Sequence, residues 1–290
     1  MPKKQLFIIA DLGGGDGGKG GVVHKISCLK KAHTIVKVGG CQGSHGVRTS
    51  NGQSFNFSHF GCGTLEGVRT HITSKMVIDP MTLVHEGKLL KYNCGVRNVF
   101  DLITVDRESL CVTPFHRIIS QLRELARKDN PKGTVGTGVG EAVFDVELNP
   151  NFTIRVKDLT NPHLADMLDQ VRRLKIRDLA MIKATMDDFW ESDQAQVQEL
   201  ITMLQNEAFP RAIAEAFQEM TSLVKIVDME YLARDVLGRD GTAVIETSHG
   251  ILTDRYHGFH PHTTRLRTIP TVSFDLARAC NYDGEKHLIG

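Results

Sequence analysis

The sequence has no surplus of either charge: 35 basic and 34 acidic side chains leave a net +1. A sequence-independent nucleic-acid binder needs excess Lys and Arg to neutralise phosphates, so that class is excluded, local basic patches aside. Long apolar runs are missing too. The first, Leu6 to Ala10, stops at Asp11, far short of the roughly 20 residues of a membrane-spanning helix, and no secretory signal with a cleavage site precedes it. The cysteines, at 28, 41, 62, 94, 111 and 280, form no C-x-x-C pair, which argues against a disulfide framework or a Cys-rich zinc site. No internal repeat or low-complexity linker occurs, and with 41% apolar residues the chain does not have the composition of disorder. The expectation is a soluble, untargeted chain in a reducing cytoplasm. Residues 1–290 should form one compact unit rather than two tethered domains, long enough to bury a sizeable core.

Short runs rich in Val and Ile, bounded by glycine, read as strands: residues 5–10, 33–38, 75–78, 110–112, 223–227, 242–245 and 271–274. They lie among helix-like stretches, which predicts an α/β fold with a mostly parallel central sheet. Between about 161 and 219 the pattern changes. Leu164, Met167, Leu168, Val171 and Leu174, then Val197, Leu200, Ile201 and Leu204, recur at the spacing of amphipathic helices. This predicts a helical insertion that packs on its own sheet or forms a dimer surface.

The densest information lies in residues 13–21, where seven of nine positions are glycine. Gly13, Gly15 and Gly18 fit G-x-G-x-x-G, and Gly13, Gly18 and Lys19 fit G-x-x-x-x-G-K, two phosphate-binding templates on one P-loop-like turn. Glycine lets backbone N–H groups approach oxyanions, and the following helix N-terminus adds a favourable dipole. A dinucleotide site would also need an acidic residue about 20 positions on; Lys37-Val38-Gly39-Gly40 stands there instead. Gly20 occupies the position where a Walker loop has the magnesium-binding Ser or Thr, which leaves Asp16 as the obvious metal ligand. A second glycine-rich loop, residues 39–46, carries His45. Loops following adjacent strands converge at one sheet end, which would pair His45 with Asp16 in acid–base work.

Together these loops resemble adenylosuccinate synthetase, whose loops read G-D-E-G-K-G-K and G-G-N-N-A-G-H-T. Further matches follow in order: Met76 to Pro80 is similar to V-I-D-P, Thr113 to His116 to L-P-Y-H, and Gly133 to Gly140 to G-T-T-G-R-G-I-G. Ile154 to Leu159 resembles L-R-V-G-D-L, and Glu246 to Thr264 resembles E-G-A-Q-G-T-L-L-D followed by G-T-Y-P-Y-V-T-S. The resemblance implies a ligase that joins L-aspartate to C6 of a 6-oxopurine nucleotide, with Mg2+ and cleavage of a nucleoside triphosphate. By matching position, Asp16, His45 and Lys19 would be catalytic. Gly13, Gly15, Gly17, Gly18, Lys19, Gly20, His45 and Gly46 would surround the triphosphate. Asp16, Gln42, Thr134, Val135, His249 and Thr264 would contact the purine monophosphate, and Asp16 with the Ser44 carbonyl would hold the metal.

Departures cluster around the base: Gly17, Gln42, Val135 and His249 replace the family's Glu, Asn, Thr and Gln. They point to a 6-oxopurine that differs at C2. Short bacteriophage relatives make 2-aminoadenylosuccinate from dGMP, and this chain resembles them in brevity and in residues 260–267. The expected substrate is therefore dGMP, with IMP as the alternative; the donor is ATP, dATP or GTP. A homodimer is implied by resemblance alone, weakened because Asn151 replaces the arginine that crosses to the partner's nucleotide phosphate. No T-x-G-R-x-R stretch occurs up to Gly290, so aspartate binding falls either to a further tail or to other residues. If phage-encoded, the protein would act in the host cytoplasm, with no nucleic-acid or membrane partner. Two rival readings are a P-loop nucleotide hydrolase and a non-catalytic nucleotide-binding regulator. His257, His260 and His262 have a spacing that could suit zinc, without a carboxylate or Cys to complete the set. Arg265 and Arg267 alternate, so on a strand they would share a face and could meet a 5′-phosphate.

Overall fold

The computed structural model describes residues 4–185 and 189–290. Its strands are β1 (Gln5–Ile9), β2 (Thr34–Gly40), β3 (His45–Arg48), β4 (Ser54–Phe57), β5 (Arg69–Ile78), β6 (Ile103–Asp106), β7 (Leu110–Cys111), β8 (Lys225–Val227), β9 (Thr242–Glu246) and β10 (Glu285–Ile289). The main sheet runs in the order β10-β1-β9-β2-β5-β6-β8, with β7 beside the end of β5, and its pairings are parallel. β3 and β4 form a separate antiparallel hairpin. This is the α/β architecture expected from the sequence.

Parallel strands buried on both faces read as continuous apolar runs. Phe7 and Ile9 of β1 face one core with Ile35, Ile72 and Ile78, whereas Leu6 and Ile8 face a second core with Val36, Val38 and Ile245. The helices are α1 (Lys19–Leu29), α2 (Pro80–Cys94), α3 (Pro114–Leu125), α4 (Val139–Leu148), α5 (Leu164–Thr185), α6 (Gln194–Gln205), α7 (Phe209–Leu223), a short α8 (Met229–Tyr231) that continues as a π-helical turn to Leu237, and α9 (Thr271–Ala279). α5, α6 and α7 pack on one another and on α2 and α3, covering the first core. A buried charge cluster ties α5 to its neighbours. Lys175 Nζ lies 2.5 Å from Asp145 Oδ1 of α4 and 2.7 Å from Asp178 Oδ2, and Asp145 Oδ2 lies 3.0 Å from His116 Nε2 of α3.

One strand expectation fails. Residues 271–274 open α9, because Pro270 sets the first turn and the buried residues Ser273, Leu276 and Ala277 recur at helical rather than alternate spacing. β10 escapes sequence reading because its partly exposed edge sequence, EKHLI, carries little apolar signal. Among the described residues, no helix is long and apolar enough to cross a membrane.

Candidate active site at the strand ends

β1 and β2 are not neighbours as the sequence suggested; β9 lies between them. Three loops therefore meet at the carboxyl ends of these strands, the position where open parallel sheets bind ligands. The third loop, residues 247–250, interlocks with the other two. A Cβ at Gly250 would fall 2.1 Å from the Gly13 carbonyl oxygen, and one at Gly15 would fall 3.2 Å from the His249 Cα. At Gly39, φ is +108° and Ser248 Oγ fills the space a side chain would take. His249 adopts φ +63°, a left-handed conformation costly for a non-glycine residue, and this places its ring beside both glycine loops.

The first glycine loop closes on its own carboxylate. Asp11 accepts the Gly13 and Gly17 N–H groups, each at 2.8 Å, and Lys19 Nζ lies 3.1 Å from Asp11 Oδ2 and 2.7 Å from the Gly15 carbonyl oxygen. Burial alone would raise the Asp11 carboxyl; the Gly17 and Gly13 N–H groups and the Lys19 ammonium outweigh it and lower it. Lys19, expected at phosphoryl oxygens, is thus buried and turned inward. Gly17 is not a relief of bulk around the base either, since a Cβ there would stand 2.9 Å from Asp11 Oδ2. Gly20 serves close packing: a Cβ would lie 2.7 Å from the Gly46 carbonyl oxygen and 3.0 Å from His45 Cβ. The start of α1 is thereby seated against β3, which carries His45.

His45 is held from behind. Its Nδ1 lies 2.6 Å from Glu246 Oε1, which also accepts from Lys37 Nζ at 2.6 Å, while the Cys62 N–H donates to Oε2 at 3.0 Å. An ionised carboxylate only accepts, so Nδ1 carries a proton and donates it to Glu246, and Nε2 is the ring nitrogen left for substrate. Burial opposes the Glu246 charge, but Lys37 and His45 hold its carboxyl far below the usual range. Sequence reading missed Asp11, Lys37 and Glu246. The available signal was a single charge inside or ending an apolar run, TIVKV for Lys37 and TAVIE for Glu246.

Two cavities open over this frame. The smaller, about 300 Å³, is lined by Asp16, Ser44 and His45 with Gly14, Gly15 and Gly43; the larger, about 430 Å³, by Thr134, Val135, Thr264 and Arg265 among others. Gln42 and His249 line both. Each has a buried atom without a hydrogen-bond partner among the described residues, Gln42 Oε1 and His249 Nε2. Burial, then the charges of Lys19 and His45, pushes His249 down to about 4, so the ring is neutral near pH 7. The structure thus brings Asp16 and His45 to one cavity and Gln42, Thr134, Val135, His249 and Thr264 to the other. Gly13, Gly17, Gly18, Lys19, Gly20 and Gly46 line neither. Asp16 is exposed, and its carboxylate has no hydrogen bond or ion pair among the described residues. Free hard oxygens beside Ser44 fit magnesium, which favours carboxylate and phosphate ligands. His257, His260 and His262 join no three-ligand cluster among the described residues.

Glycine loops, a parallel sheet and paired cavities at its carboxyl end define an α/β protein with a P-loop-like turn. The adenylosuccinate synthetase family model matches residues 8–274. The chain belongs to that family. It is 26% identical over 273 residues to adenylosuccinate synthetase of Chlorobium chlorochromatii, covering 91% of this chain and 56% of that protein. It is 28% identical over 257 residues to adenylosuccinate synthetase 1 of Pseudoalteromonas translucida, covering 88% and 53%. The chain therefore spans a little over half the length of these relatives. Among solved structures, fully ligated adenylosuccinate synthetase from Plasmodium falciparum superposes with a TM-score of 0.69 at 17% identity, covering 93% of this chain and 57% of that one. Cyanophage S-2L succinoaminodeoxyadenylate synthetase (PurZ), bound to dGMP and to dATP as energy donor, gives 0.63 at 17%, covering 97% and 61%. Both likenesses are of fold.

Proposed function

We propose that this chain, as one nucleotide-binding unit with a helical insertion, ligates L-aspartate to C6 of a purine monophosphate at the expense of a nucleoside triphosphate. It acts in the cytoplasm as a homodimer. The observation that carries this reading is the pair of cavities joined through Gln42 and His249, with Asp16 and His45 facing the smaller one. The monophosphate lies along the larger cavity, with its base reaching Asp16. The Asp16 carboxylate takes the proton from N1, and O6 gains electron density and attacks the γ-phosphoryl group, releasing the nucleoside diphosphate. The Nε2–H of the His45 imidazolium, whose Nδ1–H is held by the Glu246 carboxylate, donates to the transferring group and supports phosphate departure as the aspartate amine attacks C6. Asp16 and the Ser44 carbonyl would hold Mg2+, which would supply charge neutralisation for the phosphates.

The favoured substrate is dGMP, with ATP or dATP as donor. Gln42 lines both cavities and its Oε1, packed against Gly40, has no partner among the described residues; turned into the cavity it would accept from an exocyclic amine at C2, a donor that hypoxanthine lacks. The dGMP-bound cyanophage enzyme has the same fold. IMP with GTP is the second reading, supported by the retained Asp16 in its open cavity. The test is phosphate release from ATP, dATP or GTP with dGMP or IMP, with and without L-aspartate, together with the mass of the succinylated product. Aspartate-dependent release and a succinylated dGMP are expected, and Asp16→Ala and His45→Ala should each cut turnover by about 10²-fold or more. Release that ignores aspartate would identify a hydrolase, and nucleotide binding without release a regulator.

A further inference from the structure

We propose that Lys132 and Arg265 form a clamp for the 5′-phosphate of the monophosphate substrate, complete within one chain. This assignment rests on the reading of the larger cavity as a purine monophosphate site and deepens it.

Four cations line that cavity, Arg123, Arg127, Lys132 and Arg265, beside two carboxylates, Glu124 and Glu141. The carboxylates are already engaged. Arg123 Nε donates to Glu141 Oε1 at 3.0 Å, and Arg127 Nε lies 3.6 Å from Glu124 Oε2. Glu124 Oε1 also accepts the N–H groups of Gly133 at 2.6 Å and Thr134 at 3.3 Å. Lys132 and Arg265 are left without an ion pair among the described residues. Arg265 is nevertheless held in place, its guanidinium 4.3 Å from the Phe144 ring centroid on α4 and its stem over Gly140. The Lys132 carbonyl oxygen is fixed by the His262 Nδ1–H at 3.0 Å. Burial and the charges of Arg265 and Arg127 lower the Lys132 ammonium, so positive charge is crowded here.

A phosphate monoester relieves that crowding with about −1.5 to −2 charge and three acceptor oxygens. The Thr134 and Thr264 hydroxyls and the start of α4 at Val139 line the same cavity and supply neutral donors. Among the described residues, the smaller cavity has no Lys or Arg in its lining, so the monoester belongs in the larger one. Arg267, two residues on, is excluded: residues 263–268 form no strand, and its side chain pairs with Asp254 at 3.4 Å and lies over Tyr256.

The test is calorimetric titration of the full chain with dGMP, IMP, their nucleosides and inorganic phosphate. The proteins are the wild type, Lys132→Ala, Arg265→Gln and, as control, Arg267→Gln. Each clamp variant should bind the monophosphate about 10- to 100-fold more weakly, as for loss of one charged hydrogen bond. Nucleoside binding should stay the same, and the control should match the wild type. Mixing the two clamp variants should restore no affinity, because both residues act in one chain. Unchanged monophosphate affinity in both variants, equal losses for nucleoside and nucleotide, or recovery on mixing overturns the clamp and leaves the proposed function standing. Inorganic phosphate binding with no preference for the nucleotide overturns the monophosphate assignment. A wild-type protein that binds no purine monophosphate overturns the clamp and the functional reading together.

Discussion

Replacing Glu246 by glutamine keeps the shape of the side chain and removes the charge on which three groups depend. Its carboxylate is fully buried and sits 2.6 Å from both Lys37 Nζ and His45 Nδ1. In Glu246→Gln the Lys37 ammonium remains buried without its counter-charge. Removing one partner of such a pair costs roughly 3–5 kcal/mol. For a chain of this size, that lowers Tm by roughly 10 °C. The amide also no longer offers a negative charge to the His45 imidazolium that donates from Nε2, and can present its NH2 to Nδ1; loss of such a carboxylate partner costs up to about 10⁴-fold in turnover. The two effects separate in a double variant. Lys37→Met with Glu246→Gln removes both charges and should recover most of the stability, while the loss of turnover stays. The pH dependence follows from the sign of the shift. Glu246 has its folded-state value depressed below the ordinary 4.5, so its stabilisation is present above about 4.5 and lost as pH falls through the folded value. The wild-type to variant difference in urea unfolding should therefore be full at pH 7 and narrow only in acid. A Glu246→Gln protein with wild-type unfolding and wild-type turnover at pH 7 would refute the Lys37–Glu246–His45 reasoning.

Other outcomes follow from the same physics. Gly20→Ala should cost about 1–3 kcal/mol and most activity, because its methyl meets the Gly46 carbonyl and His45. Gly21→Ala, which meets nothing within 4 Å, should stabilise α1 by about 0.4–1 kcal/mol; thermal melts of the two compare them directly, and equal shifts would disprove the close-packing role. His33, His71 and His249 are each pushed down to about 4, chiefly by burial. The unfolded chain, with values near 6.5, binds protons that the folded chain refuses, so stability should fall as pH drops from about 6.5 toward 4. The slope should approach roughly 1 kcal/mol per pH unit for each ring, measured by urea unfolding at several pH values. Lys175→Ala strips the fully buried cation from Asp145 and Asp178 and should cost about 3–5 kcal/mol; a loss under about 1 kcal/mol in urea unfolding would show that the cluster does not anchor α5.

Local features were readable without coordinates. Glycine density at 13–21 and 39–46, apolar runs ending in those glycines, and three-to-four periodicity in 161–219 are properties of neighbouring residues. They sufficed for the α/β class, both loops and the family, and they named Asp16 and His45, which the fold brings to one cavity. What decided the rest was strand order and the compensation of buried charge, which depend on residues far apart in the chain. Lys37 and Glu246 are 209 positions apart, and only insertion of β9 between β1 and β2 brings them together and delivers His249 to the seam between the cavities. Lys19 matched a phosphate template, yet Asp11 lay near enough to capture its ammonium. Arg265 and Arg267 looked equivalent by spacing until Phe144 took one and Asp254 the other. Periodicity shows which side chains are buried; the partner that each buried charge requires is settled by the folded backbone, because only there do distant charges come within hydrogen-bond reach.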